Sequence, residues 1–274
     1  MYSKEQVHIN QIKKIETYLN KEERVPMEKY ILECCVDSVE SAIEAEKGGA
    51  NRLELCANLI IGGTSPSLAL FEKVKENTNI KINVLLRPRF GDFLYSDYEF
   101  EILKKEVKLF RKAGADGVVI GCLRADGTID SHKMKELIAL ADGMHVTLHR
   151  AFDMTVDPYE ALKEAKGLGI NTILTSGQRN TAIEGKTLIK ELLEEAGEDL
   201  EILVGSGVNA EVIETFLNES KAYAFHMSGK ETLASGMIYK NEKVSMGLPM
   251  MSEYEVWQTS SEKVIEAKKV LLNA

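Results

Sequence analysis

The sequence has few cysteines, fewer basic than acidic residues, and no long apolar run. Four cysteines in 274 residues, two of them adjacent, do not resemble the framework of a disulfide-stabilised secreted protein. A formal net charge of -9 argues against binding to nucleic acid or to an anionic membrane surface. No apolar run reaches transmembrane length, and the N-terminal segment lacks the apolar stretch of a secretory signal. We therefore expect a cytoplasmic protein with reduced thiols and with neither nucleic-acid nor membrane partners.

The composition is that of an ordinary globular protein with a sizeable core, at 44% hydrophobic and 28% charged residues. Short apolar runs rich in β-branched residues alternate with longer segments of helical periodicity. Glycine-containing turns such as GGAN, AGAD and GLGIN lie where a helix gives way to the next strand. The predicted strands are 31–36, 52–56, 81–87, 117–121, 144–149, 171–175, 201–205 and 222–226.

Eight strand–helix units in roughly 245 residues predict an α/β protein with a single (β/α)8 TIM barrel. A doubly wound open sheet is the competing prediction, although such sheets usually have fewer strands. We assign residues 29–274 to the barrel domain and the polar residues 1–28 to a short N-terminal extension. A long polar loop is predicted after the eighth strand, followed by a last helix from about residue 253 to residue 271.

The stretch from 31 to 58 repeats one pattern on two strands that a single helix joins. Glu33 and Cys35 share one face of the first strand, and Glu54 and Cys56 share one face of the second. Parallel strands joined in this way are often adjacent. The sequence therefore predicts two acids and two thiols near one end of the sheet.

Other polar residues follow the carboxyl ends of the predicted strands, where the active sites of TIM barrels are built. Glu33 and Glu54 are candidates for a general acid and base, and His149 for proton transfer. Arg87, Arg89 and Arg150 are candidates for binding an anionic substrate. Asp153 is a candidate for orienting Arg150 or His149. A structural alternative is that buried charges pair inside the barrel, Glu54 with Arg87 for instance. The remaining predicted ligand-binding residues are Thr175, Ser176, His226, Ser228 and Gly229.

A glycine-containing turn, Gly205-Ser206-Gly207, follows the seventh strand. Many barrels bind phosphate at this position through backbone N–H groups. A tight turn between strand and helix is the structural alternative. We therefore add this turn to the predicted binding region and expect it to bind a phosphorylated or other small anionic ligand.

Several segments resemble the copper-homeostasis CutC family, among them LECCVDSVESAIEAEKGGANRLELCAN, RPRFGDFLYSD, HRAFDM and GSGVN. The resemblance runs from about residue 31 to about residue 260. It implies a cytoplasmic TIM barrel that forms dimers or tetramers, is linked to copper tolerance and binds Cu(I) at Cys35 and Cys56. It implies no organic cofactor. Ser206 departs from the family pattern, which usually has glycine there, and 227–230 replaces a run that ends in arginine.

Three hypotheses about function remain open. In the first, Cys35 and Cys56 bind Cu(I), a soft ion that prefers thiolate ligands; as a structural alternative, both are small buried hydrophobes. In the second, the protein is an enzyme that acts on a small anionic substrate through the charged residues of the barrel mouth. In the third, it is an oligomeric scaffold whose mouth has no activity.

Overall fold

The computed structural model describes residues 30–247 and 251–274, and eight parallel strands within them form a closed barrel. Each strand pairs with its neighbours in chain order, and the last one returns to pair with the first. The predicted (β/α)8 barrel is therefore confirmed. Its strands are β1 (Ile31–Val36), β2 (Arg52–Leu55), β3 (Lys81–Leu85), β4 (Gly117–Ile120), β5 (His145–Leu148), β6 (Thr172–Thr175), β7 (Glu201–Val204) and β8 (Ala224–Met227).

Helices cover the outside of this barrel and follow the strands in turn. The longest of them begins at a capping box, in which Ser96 and Glu99 each bond the backbone of the other, and ends at Gly114 in a left-handed conformation. Its apolar residues recur at helical spacing and are buried. The helices are α1 (Val39–Gly48), α2 (Leu68–Asn77), α3 (Asp97–Ala113), α4 (Ser131–Ala141), α5 (Pro158–Gly167), α6 (Lys186–Ala196), α7 (Ala210–Glu219) and α8 (Ser261–Leu272).

The segment predicted as a polar loop contains a β-hairpin, which corrects that prediction. Strands β9 (Lys230–Ala234) and β10 (Glu255–Thr259) pair antiparallel, so that Trp257 lies opposite Thr232. Pairing lets the backbone N–H and C=O groups of the two strands bond to each other. A helix that began near residue 253 would leave the backbone of β9 without this partner strand. The last helix consequently begins at Ser261, and a bond from the Ser260 N–H to the Gly229 carbonyl closes the base of the hairpin.

Strand register places the predicted functional residues on the inner face of the barrel. Glu33 lies opposite Arg52 on β2 and opposite His226 on β8, and Cys35 lies opposite Glu54. The alternate residues of β1, which include Cys34, are fully buried on the other face. The prediction that the first two strands are parallel neighbours is thus confirmed.

The predicted extension, residues 1–28, lies outside the described residues. The division into that extension and a barrel domain from residue 29 therefore stays a prediction. Within the described residues, every helix is too short or too polar to cross a bilayer.

Candidate functional site at the barrel mouth

Four charged side chains from four strands form a bonded network inside the barrel. Glu33 accepts hydrogen bonds from the Arg52 Nε and, at 2.7 Å, shares a proton with the His226 Nδ1. Arg52 also donates to Glu201 at 2.8 Å, so one guanidinium joins two carboxylates. All four side chains are about nine-tenths buried or more. Buried charges of this kind persist only when they are paired.

The network continues to the other end of the barrel through neutral groups. Thr172 donates to Glu201 at 3.0 Å, and its hydroxyl lies 2.8 Å from the Nε2 of His145. Arg52 is thus shared by two carboxylates inside the barrel, and His226 pairs with one of them, Glu33. The predicted ion pair of Glu54 with Arg87 is wrong, since no such pair forms among the described residues. The alternation of Arg52, Glu54 and Cys56 along β2 carried a signal for Arg52 that the sequence analysis missed.

Glu33 and Glu54 lie in one buried cluster but hold their protons differently. Burial alone raises the pKa of Glu33, but Arg52 and His226 outweigh burial and bring it to about 2. Burial raises the pKa of Glu54 to about 7, with the charge of Glu33 adding to this and that of His226 opposing it. Two nearby carboxyl groups whose pKa values differ this much are typical of an acid–base pair.

His226 links these carboxylates to the mouth. Burial lowers the pKa of its imidazole, but the neighbouring Cys35 and Glu54 and the hydrogen bond to Glu33 outweigh burial and raise the pKa well above 6.5. Its Nε2 lies 3.9 Å from a Glu54 oxygen. Atoms of Glu33, Glu54 and His226 all lie within 4.8 Å of one another, so this trio is also a candidate ligand set for a metal ion.

The two predicted copper ligands lie in different surroundings. Cys35 lines the mouth cavity and approaches His226, whereas Cys56 packs in an apolar cluster with Leu85 and Val119. The Cys56 thiol donates to the Val36 carbonyl at 3.5 Å. Burial raises the pKa of Cys56 well above its usual 9.0, and the nearby Glu54 and Cys35 add to this. The Cys56 thiol is therefore protonated at neutral pH in the metal-free protein.

On one side of the mouth, Arg150 and Asp153 form a closed set of hydrogen bonds with the end of β6. Asp153 accepts from Arg150 at 2.8 Å, from the Thr175 hydroxyl at 2.5 Å, and from the backbone and hydroxyl of Ser176. It also accepts from the Gln178 N–H at 3.1 Å. The structure thus brings together these four predicted residues and bonds them to one another.

On another side, Arg87, Phe93 and His149 stack as a second group. The Phe93 ring lies 4.7 Å from the His149 ring and 4.9 Å from the Arg87 guanidinium. His149 accepts the Ala151 N–H at Nδ1, which assigns its proton to Nε2, and that N–H has no partner among the described residues. Burial and the nearby Arg87 lower the pKa of His149 to about 3, so its imidazole is neutral at physiological pH.

The loop after β7 contains the predicted phosphate turn. Ser206 and Gly207 both have a positive φ, of 74° and 72°, a conformation that glycine adopts without strain. This explains the family preference for glycine at the position of Ser206, whose hydroxyl donates to the Asn180 carbonyl at 2.6 Å. A Cβ at Gly205 would meet a Leu174 methyl group at 2.5 Å, so a side chain there would require Leu174 to move.

These elements surround one cavity of about 660 Å³, which suits a small molecule. Lys230 and Trp257 of the hairpin also line it. The predicted last helix includes Trp257, so the sequence did not place this residue at the mouth. Glu33, Cys56, Thr175, Ser176, Gly205 and Gly229 lie outside the lining. The predicted residues that do line it are Cys35, Glu54, Arg87, His149, Arg150, Asp153, Ser206, Gly207, His226 and Ser228.

A barrel with a polar interior and a mouth cavity is a fold shared by many proteins, and sequence comparison narrows the class. The sequence model of the CutC family matches residues 30–231. This chain belongs to the CutC family.

Relatives cover most of the chain. It is 44% identical over 236 residues to the copper homeostasis protein cutC homolog of Mus musculus, covering 86% of this chain and 87% of that protein. It is 46% identical to the family protein CutC of Bacteroides fragilis strain YCH46, covering 87% and 96%. A crystal structure described as a copper homeostasis protein CutC from Streptococcus agalactiae superposes with a TM-score of 0.68 at 30% identity, covering 73% of this chain and 98% of that one.

Proposed function

We propose that this chain is a cytoplasmic copper-homeostasis protein, homo-oligomeric as a dimer or tetramer, that binds Cu(I) through Cys35 and Cys56. The observation that carries the proposal is the placement of two free thiols at the ends of adjacent strands, one of them lining the mouth cavity. The names of the relatives support a role in copper homeostasis. Cu(I) binds soft sulfur ligands at low coordination number, so two thiolates suffice for a site.

Copper binding at Cys56 requires loss of its proton, because the thiolate is the ligand. Burial holds that thiol protonated, so each Cu(I) bound releases protons and the apparent affinity increases with pH. His226, beside Cys35, is the nearest imidazole and is a candidate third ligand.

The test is an anaerobic Cu(I) titration against a competing chromophoric chelator. The wild-type protein is compared with Cys35→Ala/Cys56→Ala, and with Cys122→Ala as a matched control, since Cys122 is also a free buried thiol. We expect stoichiometric binding in the wild type and the control, and its loss in the double variant. Equal binding by the double variant would refute the thiol site.

A second candidate function is an enzyme that acts on a small anionic substrate. The observation that favours it is the pairing of a carboxyl group and an imidazole, Glu54 and His226, on the wall of one cavity. Such a pair performs general acid–base catalysis when a substrate lies within hydrogen-bond reach. A copper site would not need the additional charged residues of the mouth.

Thermal-shift screening of anionic metabolites, followed by turnover assays on those that bind, tests this candidate. Glu54→Gln retains the size of the side chain but transfers no proton, so it should bind a true substrate and turn it over at least about 100-fold more slowly. Turnover at the wild-type rate would exclude Glu54 from the chemistry.

A further inference from the structure

The mouth cavity contains two cations that form no ion pair with a carboxylate in the part of the chain that the structure describes. Three cationic side chains line it, Arg87, Arg150 and Lys230, and only Arg150 has an ion-pair partner among the described residues. Each of the three lining carboxyl groups has another partner: Asp153 binds Arg150, Asp92 binds Arg89, and Glu54 lies 3.9 Å from the His226 imidazole. In a chain with a net charge of -9, this wall is left with a local excess of positive charge.

The first of these cations belongs to the group formed with Phe93 and His149. The terminal nitrogens of Arg87 donate to the carbonyls of Gly62, Gly63 and Gly91, which fixes the guanidinium in place. Its Nε–H and the Nε2–H of His149 are both buried and have no acceptor among the described residues. Buried donors without acceptors are costly, and both groups remain able to donate to a ligand oxygen that reaches them.

The second cation, Lys230, lies across the barrel mouth, on the strand that follows β8. Its ammonium lies over the Trp257 ring, 3.3 Å from the ring centroid. The Ser206–Gly207 turn and Ser228 line the cavity from the neighbouring strand ends β7 and β8. Cation, hydroxyl and exposed backbone at one end of a cavity are the groups that bind a phosphate or carboxylate.

We propose that the cavity binds a small organic dianion at its two ends. One anionic group of the ligand binds at Arg87 and His149, and the other binds at Lys230 and Ser228. These two positions are called the two seats of the ligand below. The stretch between them passes Glu54 and His226, which places the middle of the ligand beside the acid–base pair. The inference deepens the enzymatic candidate and rests on it for chemistry. Binding itself depends on neither turnover nor copper.

The ligand class follows from the two seats. Each seat suits a carboxylate or a phosphate, so the ligand is a dicarboxylate, a bisphosphate or a phosphorylated carboxylic acid. A monoanion would fill only one seat. Because the two seats lie a fixed distance apart, the affinity should depend on the length of the ligand. Nonspecific electrostatic attraction of anions would show no such dependence.

The experiment is isothermal titration of the whole chain at low ionic strength with two series of ligands. Malonate, succinate, glutarate and adipate form the first, and methylene-, ethylene- and propylene-bisphosphonate form the second. Butyrate and inorganic phosphate, each of which has a single anionic group, are the controls and stand for the monoanion case. We expect one length in at least one series to bind about 10- to 100-fold more tightly than its monoanion, the gain of one charge-assisted contact.

Two variants locate the seats. Lys230→Gln and Arg87→Gln should each reduce the affinity for the best dianion to that for a monoanion. Lys230→Gln is the more informative variant because it should fold normally: the Lys230 ammonium makes no hydrogen bond to other described residues. A loss of affinity in this variant therefore reports on ligand binding. Lys163→Gln, which removes an exposed lysine on α5, is the charge-matched control and should bind as the wild type does.

The outcomes separate cleanly. Dianions that bind no more tightly than monoanions, or a best dianion whose affinity is unchanged in Lys230→Gln, would overturn the inference. Length-dependent binding that both variants weaken supports it, whether or not any turnover is found. Retained binding in Cys35→Ala/Cys56→Ala would show that the anion site is separate from the thiols.

Discussion

Arg87 and Arg150 each follow a barrel strand and line the same cavity, but their partners differ. Arg150 meets a buried carboxylate, and Asp153 in turn collects donors from Thr175, Ser176 and Gln178. Among the described residues, Arg87 meets carbonyl oxygens, the Phe93 ring and the Tyr95 side chain, and it has no carboxylate partner. Since the charge of Arg150 is neutralised within the protein, that arginine holds two loops together. The charge of Arg87 remains available to a ligand.

The largest effect on stability is expected from removing Asp153, the carboxylate to which Arg150 and its neighbours donate hydrogen bonds. Asp153→Ala leaves several donors and a guanidinium without their acceptor, so we expect a loss of about 3–5 kcal/mol in the free energy of unfolding. Chemical denaturation monitored by circular dichroism measures it. Asp92→Ala, at the exposed pair with Arg89, is the control and should have a much smaller effect. Equal effects would show that Asp153 is no anchor.

The two arginines themselves should separate stability from binding. Arg150→Gln removes a charged hydrogen bond to buried Asp153, with an expected loss of about 1.5–3 kcal/mol. Arg87→Gln removes bonds to neutral carbonyls near the surface, with an expected loss of about 1 kcal/mol. Unfolding curves for both variants give the comparison. The reverse order of stability losses would contradict this division of roles.

Low pH should destabilise the group of Arg87, Phe93 and His149 through protonation of His149. Its folded pKa of about 3 lies below the unfolded value of 6.5, so the unfolded state binds the proton first as the pH falls. Stability is therefore lost between pH 6.5 and 3, and by pH 5 this one group should account for about 2 kcal/mol. Unfolding free energies at pH 7.5 and pH 5 for the wild type and His149→Asn test this. A variant that loses as much stability as the wild type would exclude the effect.

The smallest effect is expected at the phosphate turn. Ser206→Gly relieves a left-handed serine, a gain of about 1–2 kcal/mol, but loses the bond to the Asn180 carbonyl, a loss of about 0.5–1.5 kcal/mol. The net change in unfolding free energy should lie within about 1 kcal/mol of zero. Ser206→Ala, which keeps the strain and loses the bond, should be the less stable of the two. The opposite order would mean that the backbone here is unstrained.

The sequence predicted the barrel because its signals are local. Strands and helices alternate eight times, side-chain caps and glycine turns mark several of the boundaries, and the strand ends place Cys35, Glu54, Arg87, His149 and His226 near one mouth. The partners of these residues were harder to infer. Arg52 pairs with Glu201 from a position 149 residues away, and no periodicity reports such a contact.

The hairpin was missed for a related reason. Its two strands are separated by a long polar segment, and antiparallel pairing across such a distance has no short-turn signature. Trp257 and the seat of Lys230 were missed with it. A serine–proline pair such as Ser65–Pro66 is typical of a helix start. The helix begins at Leu68 instead, because Ser67 caps it and the Ser65 N–H donates to the Arg87 carbonyl.

The closure of β8 on β1 has a consequence for the timing of synthesis. Glu33 and His226 are 193 residues apart. The Glu33 carboxylate therefore cannot bond to the His226 imidazole until nearly the whole barrel has been translated. At about 5–20 residues per second, that interval lasts roughly 10–40 s. During it, β1 has an open edge and the nascent chain carries two adjacent reduced thiols, Cys34 and Cys35, before the barrel closes over them. The ribosome-bound chain is therefore the stage at which chaperones and oxidants have access to the future mouth.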